Sequence, residues 1–147
     1  MKKIAAAVVG IATIASFPAF AAQIVSGTIF EEEASCSVSG GSFCFIQYAN
    51  LPSLPGKIIR IDTVSCQINT SKPVRSLNLS VQGGAGSTRR QFGDVPNRSG
   101  TFTFNSKVSF AVGASSSRYL TVELGSEGTV GDTFGGGCTV SGTIGTN

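Results

Sequence analysis

Histidine is absent from all 147 residues, and so is tryptophan. The first absence removes the usual general base, the Ser-His and Cys-His nucleophile pairs and the commonest side-chain metal ligand. The second removes a favoured platform for stacking sugars. Only Tyr48 and Tyr119 are tyrosines, and most of the ten phenylalanines alternate in a way that points them into a core, which weakens a lectin-type reading. Charge is scarce as well, at 13% of residues. The four cysteines show no C-x-x-C spacing, which with no histidine argues against structural zinc. No stretch carries a sustained helical period and no fixed-period repeat occurs, so helical bundles and solenoids are set aside. Gly83-Gly84-Ala85-Gly86 fits neither nucleotide-binding glycine pattern and no helix follows it, so a hairpin loop is expected there.

One apolar run is present at the N-terminus. Lys2 and Lys3 precede an uncharged stretch, Ile4 to Phe17, and Ala19-Phe20-Ala21 places small residues where a signal peptidase needs them. Residues 1–21 are therefore expected to be a signal peptide of bacterial type and residues 22–147 a single domain, periplasmic or secreted. No second run approaches the length that crosses a bilayer, so no membrane span is expected after removal of the signal. Lys2 and Lys3 supply two of the 11 basic residues, so the rest of the chain carries 9 minus 8, or +1. A case for nucleic acid built on net charge loses its premise.

Cys36, Cys44, Cys66 and Cys138 all follow the expected cut. An even count in a small exported domain predicts a disulfide framework with three possible pairings. Cys36 with Cys44, across Ser39-Gly40-Gly41-Ser42, and Cys66 with Cys138 are the expected pairs.

Gly56 to Ile68 (G-K-I-I-R-I-D-T-V-S-C-Q-I) is the longest β-type run and is expected to form a central strand. Its apolar parity changes near Asp62-Thr63, which predicts a β-bulge or burial on both faces. Gln23 to Phe30 reads as a first strand. Glu31-Glu32-Glu33 reads as a solvated turn or a blunted edge. Ala34 to Val38 and Phe43 to Tyr48 read as a hairpin around Gly40-Gly41, with Phe43, Phe45 and Ile46 as candidates to cover one end of the core. Leu77, Leu79 and Val81 alternate with Asn78 and Ser80 as in a half-buried antiparallel strand. Phe102 to Val112 reads as a long strand or a hairpin with one face in the core, and Tyr119 to Leu124 as a further strand. Gly125 to Gly137 is too glycine-rich for regular structure and is expected to be a loop, with the last strand running from Cys138 to Ile144. The whole reads as all-β, an antiparallel β-sandwich or jelly-roll-like fold of about eight or nine strands.

The chemistry on offer is limited. Arg89, Arg90 and Arg98 are expected to share a neighbourhood and form a small basic patch for an anionic glycan, an envelope component or a partner carboxylate; the bland counterpart is a charged, solvated edge. Asp62, Asp94, Glu123, Glu127 and Asp132 would support carboxylate-dependent hydrolysis only if two of them met in a cleft. No cofactor, metal or catalytic residue is expected.

L-P-G-K-I-I-R-I-D-T-V-S-C at Leu54 to Cys66 and the closing G-C-T-V-S-G-T-I resemble small exported proteobacterial proteins of unassigned function. In that group a proline-glycine-lysine lead-in opens a strand ending in V-S-C, and a C-x-x-S-G strand closes the chain. The resemblance implies a β-sandwich with a disulfide between those two strands, and no catalytic residues. Ser26 to Cys36 is similar, more weakly, to chaperone-usher pilin subunits, from which the chain departs in having four cysteines and no aromatic-bearing terminal strand. The leading expectation is a non-enzymatic, exported surface-binding domain. A structural or adhesive subunit of a surface appendage is the alternative, and a hydrolase the third.

Overall fold

The structure is a computed structural model that describes residues 22–83, 88–91, 97–129 and 131–146. The expected signal peptide lies outside the described residues. Among the described residues nine strands run β1 (Ala22–Ser26), β2 (Ile29–Ser39), β3 (Phe43–Asn50), β4 (Lys57–Thr70), β5 (Val74–Gln82), β6 (Thr88–Gln91), β7 (Gly100–Gly113), β8 (Tyr119–Ser126) and β9 (Thr133–Thr146). They form a five-stranded sheet, β1-β2-β9-β4-β7, and a four-stranded sheet, β3-β8-β5-β6, with every pairing antiparallel. The all-β sandwich expected from the sequence is the fold observed. Among the described residues no helix is long and apolar enough to cross a membrane.

Alternation fills the space between the sheets. Phe30, Ile59, Ile61, Val64, Ile68, Phe134 and Val140 point inward from one sheet, and Ile46, Leu77, Leu79, Leu120, Val122 and Leu124 from the other, all fully buried. Burial of each such side chain contributes about 1.5–3 kcal/mol. β4 is paired on both sides, by β9 and β7, and both ladders shift register between Ile61 and Thr63. That bulge is the parity change legible in the sequence, and it lets Ile61 and Val64 both face the core.

Both disulfides have the expected pairing. Cys66 and Cys138 are direct register partners on neighbouring strands, so this bond fastens β4 to β9 within one sheet. Cys36–Cys44 does the work between sheets. It joins β2 to β3, which belong to different layers.

That corrects the hairpin expected around Gly40-Gly41. The chain turns there from one sheet to the other, with Gly40 at φ 80° and its N–H donating to the Asp132 carbonyl, and β3 pairs with β8. Gly27 and Thr28 form a turn, so the stretch read as one strand from Gln23 to Phe30 is the β1–β2 hairpin. Glu31, Glu32 and Glu33 lie inside β2, where alternation exposes the outer two and buries the middle one. The glycine-rich stretch also departs from the loop expected for it, because β9 begins at Thr133 and takes in Gly135, Gly136 and Gly137. A Cβ at Gly136 would stand 2.6 Å from the Gln67 carbonyl oxygen, so close approach of the β4 backbone selects glycine here.

Candidate functional site

The outer face of the four-stranded sheet carries a different set of residues from an ordinary solvated sheet. Because Cys44, Ile46, Leu77, Leu79, Val81, Leu120, Val122 and Leu124 point inward, their neighbours in the alternation point out. Register then sets these neighbours in rows across the strands. Phe43 stands beside Gly125 and Ser76, Phe45 beside Glu123 and Asn78, Gln47 beside Thr121 and Ser80, and Tyr119 beside Gln82. Arg89 lies beyond Ser80.

Phe43 and Phe45 are 51% and 58% exposed, with ring centroids 6.3 Å apart and planes 24° apart. They were expected to cover one end of the core. The switch of β3 to the second sheet overturns that, because Cys44, Ile46 and Tyr48 take the inward positions and leave the phenylalanines in solvent. Next to this apolar edge the sheet floor is polar and sunken. Asn78, Ser80 and Thr121 face outward yet are only 7%, 7% and 6% exposed.

Glu123 organises the floor. One of its oxygens, Oε1, accepts from Asn78 Nδ2 at 3.2 Å and also meets Arg89 Nη2 in an ion pair. A pair at an exposed surface contributes only about 0–1 kcal/mol to stability, so its clearer consequence is to fix the direction of a carboxylate and a guanidinium. Planar polar groups held in place beside aromatic rings can hydrogen-bond hydroxyls and stack against C–H faces at the same time.

The expected basic patch is not assembled by the described residues. Arg89 pairs across β5 with Ser80, whereas the Arg98 carbonyl accepts from the Val74 N–H at the other end of that strand, a separation of about 20 Å at about 3.3 Å per residue. The Arg98 guanidinium stacks 4.4 Å from the centroid of Phe102. The side chain of Arg90, residues 84–87 of the expected hairpin loop, and Asp94 lie outside the described residues. Cys36, Cys44, Cys66 and Cys138 are all bonded, as above.

Among the described residues the carboxylates do not converge either. Asp62 is exposed on β4, in the other sheet from Glu123. Glu127 pairs with Arg75 Nε at 2.6 Å, and Asp132 accepts from the Thr129 N–H at 2.8 Å and from Ser71. The Thr129 N–H, first among several influences, draws the Asp132 carboxyl below its usual range.

Glu32 is the one fully buried acid among the described residues. At the end of β3 the ladder to β8 skips a step between Gln47 and Asn50, a bulge that takes the Ala49 N–H out of register. Glu32 Oε1 accepts that N–H at 2.5 Å, and Oε2 accepts from Gln23 Nε2 at 3.0 Å. Burial pushes the Glu32 carboxyl up, and the two hydrogen bonds offset part of that rise. Its carboxylate ties β1 and β2 to the irregular end of β3, so its place is structural. Tyr48 beside it donates to the Cys138 carbonyl at 3.0 Å, and burial, then the Glu32 and Glu33 charges, push its phenol up.

β1 is paired with β2 inside the five-stranded sheet, which counts against a subunit that lends or awaits a first strand.

No protein-family model matches the chain, and no curated protein matches it. Among solved structures, it aligns with an arabinose-bound α-L-arabinofuranosidase at 13% identity and a TM-score of 0.38, over 86% of this chain and 23% of that one. The chain thus spans about a quarter of the enzyme's length. It also aligns with the N-terminal cellulose-binding domain of Cellulomonas fimi β-1,4-glucanase C, at 11% identity and a TM-score of 0.32, over 85% of this chain and 82% of that one.

Proposed function

We propose that the protein is an exported, non-enzymatic binding domain that holds a glycan on the outer face of its four-stranded sheet. The observation that carries this reading is the exposed Phe43–Phe45 pair set directly beside the sunken polar floor of Asn78, Ser80, Thr121 and Glu123. A sugar ring offers an apolar C–H face and a rim of hydroxyls, and this surface offers a partner to each. Two disulfides fit a domain that works outside the reducing cytoplasm, and the Lys2-Lys3 start with the Ala19-Phe20-Ala21 triplet supplies the route. The resemblance of Leu54 to Cys66 and of the closing strand to small exported proteobacterial proteins is in keeping with export.

The test is a soluble-glycan panel titrated against the disulfide-intact protein and against Phe43→Ala/Phe45→Ala. Each aromatic contact is worth about 0.5–1.5 kcal/mol, so the double variant is expected to lose about tenfold or more in affinity while keeping its fold. Binding that is unchanged in the double variant would place the contact elsewhere.

A further inference from the structure

From the pairing of charges on the candidate face, we infer that its ligand is an uncharged saccharide chain, recognised through a pair of neighbouring hydroxyls by Glu123 and Arg89 together. This inference rests on the glycan reading above and deepens it.

A site for an anionic glycan needs a guanidinium or ammonium free to meet the acid. Arg89 does not offer one, because its positive charge is already balanced by Glu123, which it meets through Nη2. Arg75, at the start of β5, is likewise occupied by Glu127 at 2.6 Å. The remaining outward residues described on this face, Gln47, Ser76, Asn78, Ser80, Gln82 and Thr121, are all neutral. An arriving carboxylate or sulfate would have to compete with Glu123 for Arg89 and would then leave a second acid unpaired beside itself.

A neutral diol meets no such obstacle. Asn78 and Arg89 both use Oε1 of Glu123, which leaves Oε2 to accept from one hydroxyl. Arg89 has further N–H groups in its planar fork to donate to the next hydroxyl. Acceptor and donor sit side by side because the ion pair holds them so, and vicinal hydroxyls of a pyranose present the complementary donor and acceptor. Phe45 is the register partner of Glu123, so a ring whose hydroxyl edge reaches the pair lies over the aromatic edge. The pair thus neutralises itself and reads hydroxyls.

Neutral hexasaccharides (cellohexaose, xylohexaose and mannohexaose) and a galacturonic acid hexamer, titrated calorimetrically at low and high salt, test this. At least one neutral hexamer is expected to bind, with affinity changing less than about twofold as salt rises past the point where the screening length is only a few Å. Arg89→Ala and Glu123→Gln are each expected to weaken that binding about tenfold, and Arg89→Lys, which keeps the charge and loses the planar fork, is expected to fall well short of wild type. Near-UV circular dichroism and thiol titration confirm that each variant is folded and oxidised. Preferential binding of the galacturonate, weakening steeply with salt and lost in Arg89→Ala but kept in Glu123→Gln, would overturn the inference and leave the face standing as a glycan site. Neutral binding indifferent to both substitutions would overturn it too. No binding of any hexamer, or binding that survives Phe43→Ala/Phe45→Ala, would overturn the glycan reading itself.

Discussion

The Phe43 ring lies against Gly125, its register partner on β8: a Cβ added at Gly125 would stand 3.2 Å from the ring and would collide with Ser76 Oγ. The missing side chain is therefore what lets the ring settle across the sheet beside the polar floor. Gly125→Ala is predicted to turn the Ser76 hydroxyl aside and displace Phe43, to cost no more than about 1 kcal/mol because both neighbours are side chains free to move, and to weaken glycan binding as much as Phe43→Ala does. Thermal melts and a titration of the same protein check both parts, and wild-type values in both would contradict the packing described.

Glu32 makes stability depend on pH with a defined sign. Its folded-state carboxyl is held above the ordinary glutamate value of 4.5, so protonation favours the folded state. The contribution is fully present below about pH 4.5 and is lost as pH rises through the raised value. Stability is thus predicted to increase on mild acidification from neutral pH toward 5, and Glu32→Gln is predicted to flatten that rise, because an amide can still accept from Ala49 without titrating. Urea denaturation of both proteins across that range reads the difference.

Removal of either disulfide should destabilise unequally. In the chain-entropy model Cys66–Cys138, with a sequence separation of 72, contributes about 4 kcal/mol, and Cys36–Cys44, with a separation of 8, about 2.5 kcal/mol. Cys66→Ala/Cys138→Ala is predicted to lower the denaturation midpoint more than Cys36→Ala/Cys44→Ala. The reverse order would show that closure of the corner between β2 and β3 matters more than loop length.

Where single-strand alternation decides the structure, the sequence reading and the fold agree. The Leu77, Leu79, Val81 face and the bulge after Ile61 are of that kind. It failed where the partner strand decides. Phe43 and Phe45 look like core residues until β3 leaves the sheet of β2, and Gly135 to Gly137 look like loop until β2 and β4 are seen to flank them. The candidate site is of the second kind throughout. Asn78, Glu123 and Phe45 lie far apart in the chain, and each is unremarkable alone; only register brings them into one row. Glu32 likewise sits in a run of three acids and is marked out only by the β3 bulge it completes.

The central claim is that the outer face of the four-stranded sheet is the contact surface. Backbone amide shifts followed by NMR as a bound hexasaccharide is titrated into the oxidised protein test it most directly. The account predicts that the largest shifts fall on Phe43, Phe45, Asn78, Ser80, Thr121 and Glu123, with the outward residues of β4, such as Ser65 and Gln67, unmoved. Shifts gathered on the five-stranded sheet, or spread along Arg98 and its surroundings with the Phe45–Glu123–Asn78 row silent, would contradict it.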